Sequence, residues 1–118
     1  MLLIYKIIAT QEWCAAEKAE VFEGAEVDLR DGYIHFSTAG QARETAAKWF
    51  ARRDDLTLVA VDAAALGEAL RWEPSRGGAL FPHLYATLPL SAVRWSRLLP
   101  LKPDGAHDFG DGFGSSAA

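Results

Sequence analysis

Residues 31–38 read DGYIHFST, and this stretch decides the fold prediction. An Asp-Gly turn pair opens it, and the residues that follow have strand character. Because side chains alternate between the two faces of a strand, Tyr33, His35 and Ser37 share one face and the apolar residues between them share the other. A phenol, an imidazole and a hydroxyl on one face indicate either the solvated side of an ordinary sheet or the floor of a binding site.

The same stretch leads directly into a predicted helix. Thr38 and Gln41 have the spacing of a capping box, in which each side chain bonds a backbone amide near the other residue. We therefore predict a helix over residues 38–52, with Ile34 and Phe36 packed against it. The free amides at a helix N-terminus bind anions, so a phosphate or carboxylate held there would lie within reach of His35.

The other elements follow from runs of apolar residues. A short helix begins at Thr10, residues 25–30 form a loop, and residues 73–78 form a flexible loop. These patterns predict an α+β fold with two main helices and a mixed, strongly bent sheet of five or six strands. The predicted strands lie at residues 2–9, 33–36, 56–61, 69–73, 83–88 and 92–99.

The domain prediction places one domain over residues 1–102 and a flexible tail over residues 103–118, where Gly, Ser and Asp dominate without periodicity. The 118 residues carry a formal net charge of −4, which argues against DNA, RNA or an anionic membrane as a partner. One cysteine, Cys14, fits a reducing compartment and is expected to pack as a small apolar residue. The apolar start has no basic n-region, so we expect a cytoplasmic protein.

A second histidine has a similar setting. His83 lies in LFPHLYA and shares its strand face with Tyr85. We predict that His35 and His83 face one cleft. Lys6, on the first strand, either points into that cleft beside His35 or pairs with a carboxylate such as Asp28 or Glu73.

Other candidates have a structural and a functional interpretation. Arg76, in the Gly-rich loop, either closes on an anion or belongs to a simple connector. Trp72 beside it either packs or lines the pocket, and Thr38 is expected to be a helix cap. Glu73 or Asp28 could join the two histidines in a zinc or iron site, but no metal-binding motif is present, so we predict a metal-free protein.

Five blocks of sequence carry a resemblance to a known family: IYKI, DGYIHFSTAGQ, LVAVD, LRWEPS and FPHLY. Over residues 3–93 they resemble the bacterial domain-of-unknown-function family 952. The resemblance implies a compact relative of the ADP-ribosyltransferase fold, a split and curved sheet. RNA 2′-phosphotransferases of that fold have a similar segment, and His35 and Ser37 match it. Lys6 stands where those enzymes have a histidine, and Asp31 where they have a basic residue.

Together these observations predict a nucleotide- or NAD-binding protein, with NAD as substrate and without an assigned cofactor. As a transferase or hydrolase it would use His35 and His83 as catalytic residues. The alternative is a non-catalytic module on the same fold that binds a small molecule or a protein. The sequence does not predict an oligomeric state. The residues predicted to bind the ligand are Lys6, Tyr33, Ser37, Thr38, Trp72, Arg76 and Tyr85.

Overall fold

The computed structural model describes residues 1–114, except for the side chain of Arg76. Within that range it has three α-helices, eight strands and three short 3-10 segments. The helices are α1 (Thr10–Ala19), α2 (Glu26–Asp31) and α3 (Ala39–Trp49), and the 3-10 segments are Ala63–Ala69, Arg76–Gly78 and Leu90–Ala92. The strands are β1 (Leu3–Ala9), β2 (Val21–Phe22), β3 (Ile34–His35), β4 (Leu56–Asp62), β5 (Leu70–Pro74), β6 (Leu80–Leu84), β7 (Leu88–Pro89) and β8 (Val93–Leu99).

The strands form three small sheets, ordered β1-β4-β8, β2-β7 and β3-β6-β5. Every strand pair in the described residues is antiparallel. The α+β class is confirmed, but the prediction of one mixed sheet is wrong. Parallel neighbours need a crossover of a dozen or more residues. Short turns such as the one between β5 and β6 return the chain antiparallel instead.

One isolated bridge joins the first sheet to the third. The Tyr5 amide donates to the Ser37 carbonyl at 2.8 Å, and the Ser37 amide donates to the Tyr5 carbonyl at 2.9 Å. The segment directly after β3 therefore lies beside the middle of β1. This contact brings Lys6 into the neighbourhood of His35, although 29 positions separate them in the chain.

Two apolar cores lie on opposite faces of β1 and β4, and both strands are almost completely buried. Ile4 and Ile8 belong to the first core, whereas Tyr5 and Ile7 belong to the second, which α3 covers. Ile34 and Phe36 are buried as predicted, but they pack in the first core. The expectation that they pack against the helix that follows is wrong.

Three local predictions need correction. Residues 25–30 form most of α2 rather than a loop, and the strand predicted over residues 83–88 ends at Leu84. Cys14 is exposed, because it lies on the outer face of α1. Trp49 is also exposed, although its spacing places it near the apolar face of α3.

The described part of the predicted tail, residues 103–114, packs on the domain. Phe109 belongs to the second core, and Nε2 of His107 donates to the Arg53 carbonyl at 3.0 Å. The guanidinium of Arg43 lies 5.1 Å from the ring centre of Phe113. Two aromatic residues in a Gly-rich segment thus give it an apolar anchor. Residues 115–118 lie outside the described residues.

Candidate functional site

A cavity of about 470 Å³ lies where β1, α2 and α3 meet the β3-β6 pair. Its wall combines aromatic rings with a few polar groups, the usual composition of a small-molecule site. The lining side chains include Lys6, Tyr33, His35, Ser37, Phe81 and His83. Among the described residues, the helices do not reach the length and hydropathy that a membrane-spanning helix needs.

The two histidines are direct neighbours across β3 and β6. His35 lies opposite His83 in the antiparallel register, and the ring centres are 5.6 Å apart. Residues opposite each other in such a pair project from the same face of the sheet. Both imidazoles line the cavity, so one concave surface contains both.

Asp28 connects three segments around His35. Its Oδ1 accepts a hydrogen bond from Lys6 Nζ at 2.9 Å, and it also accepts from the His35 backbone amide at 3.0 Å. The same oxygen lies 2.6 Å from His35 Nδ1, and Oδ2 accepts from the Ala25 amide at 2.8 Å. The other ring nitrogen of His35, Nε2, lies 3.0 Å from Asp31 Oδ2. A single buried carboxylate thus holds α2 against β1 and β3.

The charges of this network can be assigned from its contacts. Burial by itself raises the pKa of Asp28, but the hydrogen bond with His35 and the charge of Lys6 outweigh it and hold the pKa far below its usual range. Burial lowers the pKa of the Lys6 ammonium, and the carboxylate of Asp28 opposes that effect. Asp28 is therefore an ionised anchor, and the positive charge of Lys6 is already compensated.

His83 has its own carboxylate partner. Its Nδ1 lies 2.9 Å from Glu73 Oε1, which also accepts a hydrogen bond from the Tyr85 hydroxyl at 2.7 Å. The hydrogen bond from Tyr85, and then the one from His83, hold the pKa of Glu73 below its usual range. Tyr33 stacks on the His83 ring with 4.1 Å between centres. His83 is thus fixed at one edge and on one face.

A family described as proteins of unknown function, DUF952, matches residues 7–96. The chain belongs to this family. The crystal structure of protein CC0527 from Caulobacter crescentus is similar to it, with 53% identity, a TM-score of 0.89, and coverage of 95% of this chain and 98% of that one. The solution NMR structure of CC0527 has 50% identity, a TM-score of 0.85 and full coverage of both chains. No curated protein matches the chain.

Several residues predicted for the site lie together in this DUF952 fold, and others do not. Lys6, Tyr33 and Ser37 line the cavity with the histidines. Tyr85 instead borders a second cavity of about 320 Å³, on the other side of Tyr33. The side chain of Arg76 lies outside the described residues.

Trp72 and Thr38 are outside the cavity wall. Trp72 lies opposite Pro82 in the β5-β6 register, on the face away from His83 and Glu73. The Thr38 amide donates to Gln41 Oε1 at 3.0 Å, which is the Gln41 half of the capping box predicted for α3. None of the first residues of α3 lines the cavity, so the predicted anion site at that helix end is not part of it.

The wall also contains residues that the sequence did not single out for the site. Trp49 and Phe81 line the cavity, as does Arg30, whose Nε donates to Asp31 Oδ1 at 3.0 Å. Phe81 could have been predicted from the sequence, because it lies two residues before His83 and therefore shares a strand face with it. Arg30 and Asp31 depend on α2, for which the sequence has no apolar repeat. Within the described residues no group of three or more His, Cys, Asp or Glu side chains is placed to hold a metal ion.

Proposed function

We propose that this chain binds a small ring-containing ligand of the nucleotide or NAD class in the cavity beside His35 and His83. The volume of about 470 Å³ lies in the range of small-molecule sites. Tyr33, Trp49 and Phe81 offer aromatic surface to a base or a nicotinamide ring. Arg30 is a cation at the rim, with 71% of its side chain exposed.

One observation carries the proposal: two imidazoles face each other across β3 and β6 at the cavity, and each has its Nδ1 on a carboxylate. A carboxylate on one imidazole nitrogen fixes the orientation of the ring and stabilises a proton gained at the other nitrogen. His83, whose Nε2 has no protein partner among the described residues, suits acid–base chemistry in a transferase or hydrolase. His35 does not offer a second nitrogen in the same way, because its Nε2 contacts Asp31. The ADP-ribosyltransferase-like interpretation is supported by the sequence resemblance alone.

A second candidate function is a non-catalytic binding module. The observation that favours it is the ion pair of Lys6, whose Nζ lies 2.9 Å from Asp28 Oδ1. Lys6 was the cation predicted to hold an anionic ligand, and its charge is already compensated. A cavity without that cation can bind a ring and still lack the chemistry of phosphate or ribosyl transfer.

The test is a thermal-shift series with NAD, ADP-ribose, AMP and nicotinamide as probes. A ligand at ten times its Kd adds about 1.4 kcal/mol to the free energy of unfolding, which raises the Tm of a domain this size by several degrees. We expect at least one probe to give this shift in the wild type and in Trp72→Ala, which changes the opposite face. His83→Asn should lose it.

The outcome that would contradict the proposal is a Tm unchanged by all four probes at millimolar concentration. A shift with NAD, followed by release of nicotinamide, would identify an enzyme. A shift with NAD that leaves the molecule intact over hours would support the binding module.

A further inference from the structure

We infer that the two histidines have different roles, and that Nε2 of His83 is the atom that accepts an O–H or N–H group of a bound ligand. His35 is instead a fixed part of the cavity wall. The part of this inference that concerns a bound ligand rests on the proposed function. The part that concerns the protonated nitrogen of each histidine ring does not rest on it, because that state can be measured in the ligand-free protein.

His35 has no ring nitrogen left for a ligand. Nδ1 lies 2.6 Å from Asp28 Oδ1, and Nε2 lies 3.0 Å from Asp31 Oδ2. Its backbone amide donates to Asp28 as well, at 3.0 Å. A ligand could reach a nitrogen of His35 only by displacing a charged hydrogen-bond partner, and such bonds are the stronger ones.

His83 has only one nitrogen engaged among the contacts of the described residues. Glu73 is an ionised carboxylate and only accepts, so Nδ1 of His83 carries the proton and donates at 2.9 Å. In a neutral imidazole, Nε2 then keeps its lone pair and is an acceptor. Glu73 does not line the cavity, whereas His83 does, so the Nδ1 edge faces away from the ligand space.

The surroundings of His83 hold the ring in this state. Only 5% of the side chain is exposed, and Tyr33 stacks on it at 27° between the ring planes. Within the described residues the solvent-inaccessible polar side-chain atom without a partner is Trp13 Nε1, so Nε2 of His83 keeps some accessible surface. A ligand donor can therefore reach Nε2 and form a hydrogen bond there. The fitting ligand therefore carries a hydroxyl or an N–H group on a planar body. An anion that only accepts, such as a phosphate, does not fit at Nε2.

The first test is nitrogen-15 NMR of the histidine rings in the ligand-free, full-length protein at neutral pH. We expect His83 to be protonated at Nδ1 and unprotonated at Nε2. Glu73→Gln should populate the other tautomer, because the glutamine amide can donate to Nδ1. Tyr85→Phe is the matched control: it removes the other partner of Glu73 but keeps the carboxylate, so the wild-type tautomer should persist. A protonated Nε2 in the wild type would overturn the inference.

The second test uses phenol and anisole, two rings that differ by the hydroxyl proton. Phenol should bind about threefold to tenfold more tightly, the factor that one hydrogen bond gives, and should shift the Nε2 resonance of His83. Glu73→Gln should abolish this preference. Equal affinities of the wild type for phenol and anisole would overturn the inference that Nε2 of His83 accepts a hydrogen bond from a ligand. If phenol is preferred while all four nucleotide probes fail, the proposed ligand class is wrong and the role of His83 stands.

Discussion

Lys6 on β1 and Asp28 on α2 form a buried ion pair, with 2.9 Å between Nζ and Oδ1 and a separation of 22 residues in the chain. The same oxygen of Asp28 contacts the ring and the backbone amide of His35. One carboxylate therefore fixes the six-residue helix α2 to two strands. Because α2 forms one wall of the cavity, the shape of the site depends on this contact.

Replacement of Asp28 should destabilise the fold strongly. Asp28→Asn leaves the Lys6 ammonium buried without its counter-charge, a change that typically costs about 3–5 kcal/mol. Urea unfolding at neutral pH, followed by tryptophan fluorescence, measures the loss. A double variant, Lys6→Met with Asp28→Leu, removes both charges and should recover much of it. A loss below about 1 kcal/mol in Asp28→Asn would contradict the buried pair.

The stability that Asp28 contributes should depend on pH in one direction. An aspartate in the unfolded chain titrates near pH 4, whereas the pKa of Asp28 in the folded protein is far lower. Above about pH 4 the contribution is complete, and it is lost as the pH falls, because the unfolded chain then binds a proton that the folded chain does not. The difference in unfolding free energy between wild type and Asp28→Asn should be constant from pH 7 to 5 and should shrink at pH 3. A difference in unfolding free energy that grows as the pH falls would contradict the predicted direction.

Lys6→Met should lower stability without lowering ligand affinity. The variant keeps the apolar stem but removes the charge, so the buried carboxylate of Asp28 loses its counter-charge and stability falls. Ligand affinity should not change, because the ammonium of Lys6 is paired with Asp28 rather than available to a ligand. We expect a lower Tm together with a phenol Kd within twofold of the wild type at a temperature where both are folded. A phenol Kd weakened tenfold at unchanged Tm would show instead that Lys6 belongs to the binding surface.

The segment after residue 102 should contribute to stability through Phe109. This ring is 4% exposed and packs in the second core, so Phe109→Ala should cost about 3–5 kcal/mol. Asp111→Ala, at an exposed position two residues on, is the control and should stay within about 0.5 kcal/mol. Thermal and urea unfolding measure both. Equal, small effects of both substitutions would instead support the prediction of a flexible tail over residues 103–118.

The sequence was most informative over residues 33–41, where a repeat of period two is followed by a cap signal. The parity of residues 33–37 placed Tyr33, His35 and Ser37 on one side, and all three line the cavity. The parity that placed His83 with Tyr85 did not hold in the same way, because Tyr85 borders the second cavity. The Thr38-Gln41 spacing located the start of α3. These features are local, since strand alternation and capping depend on neighbouring residues only.

Tertiary structure decided which of these faces meet and which charges pair. Asp28 was one of two named partners for Lys6, and only the docking of α2 on β1 selected it; Glu73 binds His83 instead. The helix α2 has six residues and no apolar repeat, so its stability comes from contacts with distant segments. Strand pairing is likewise set by chain reversal and core packing, which no short window of sequence contains. The alternation of side chains was therefore readable from the sequence, whereas the cavity between β1, α2, α3 and the β3-β6 pair was not.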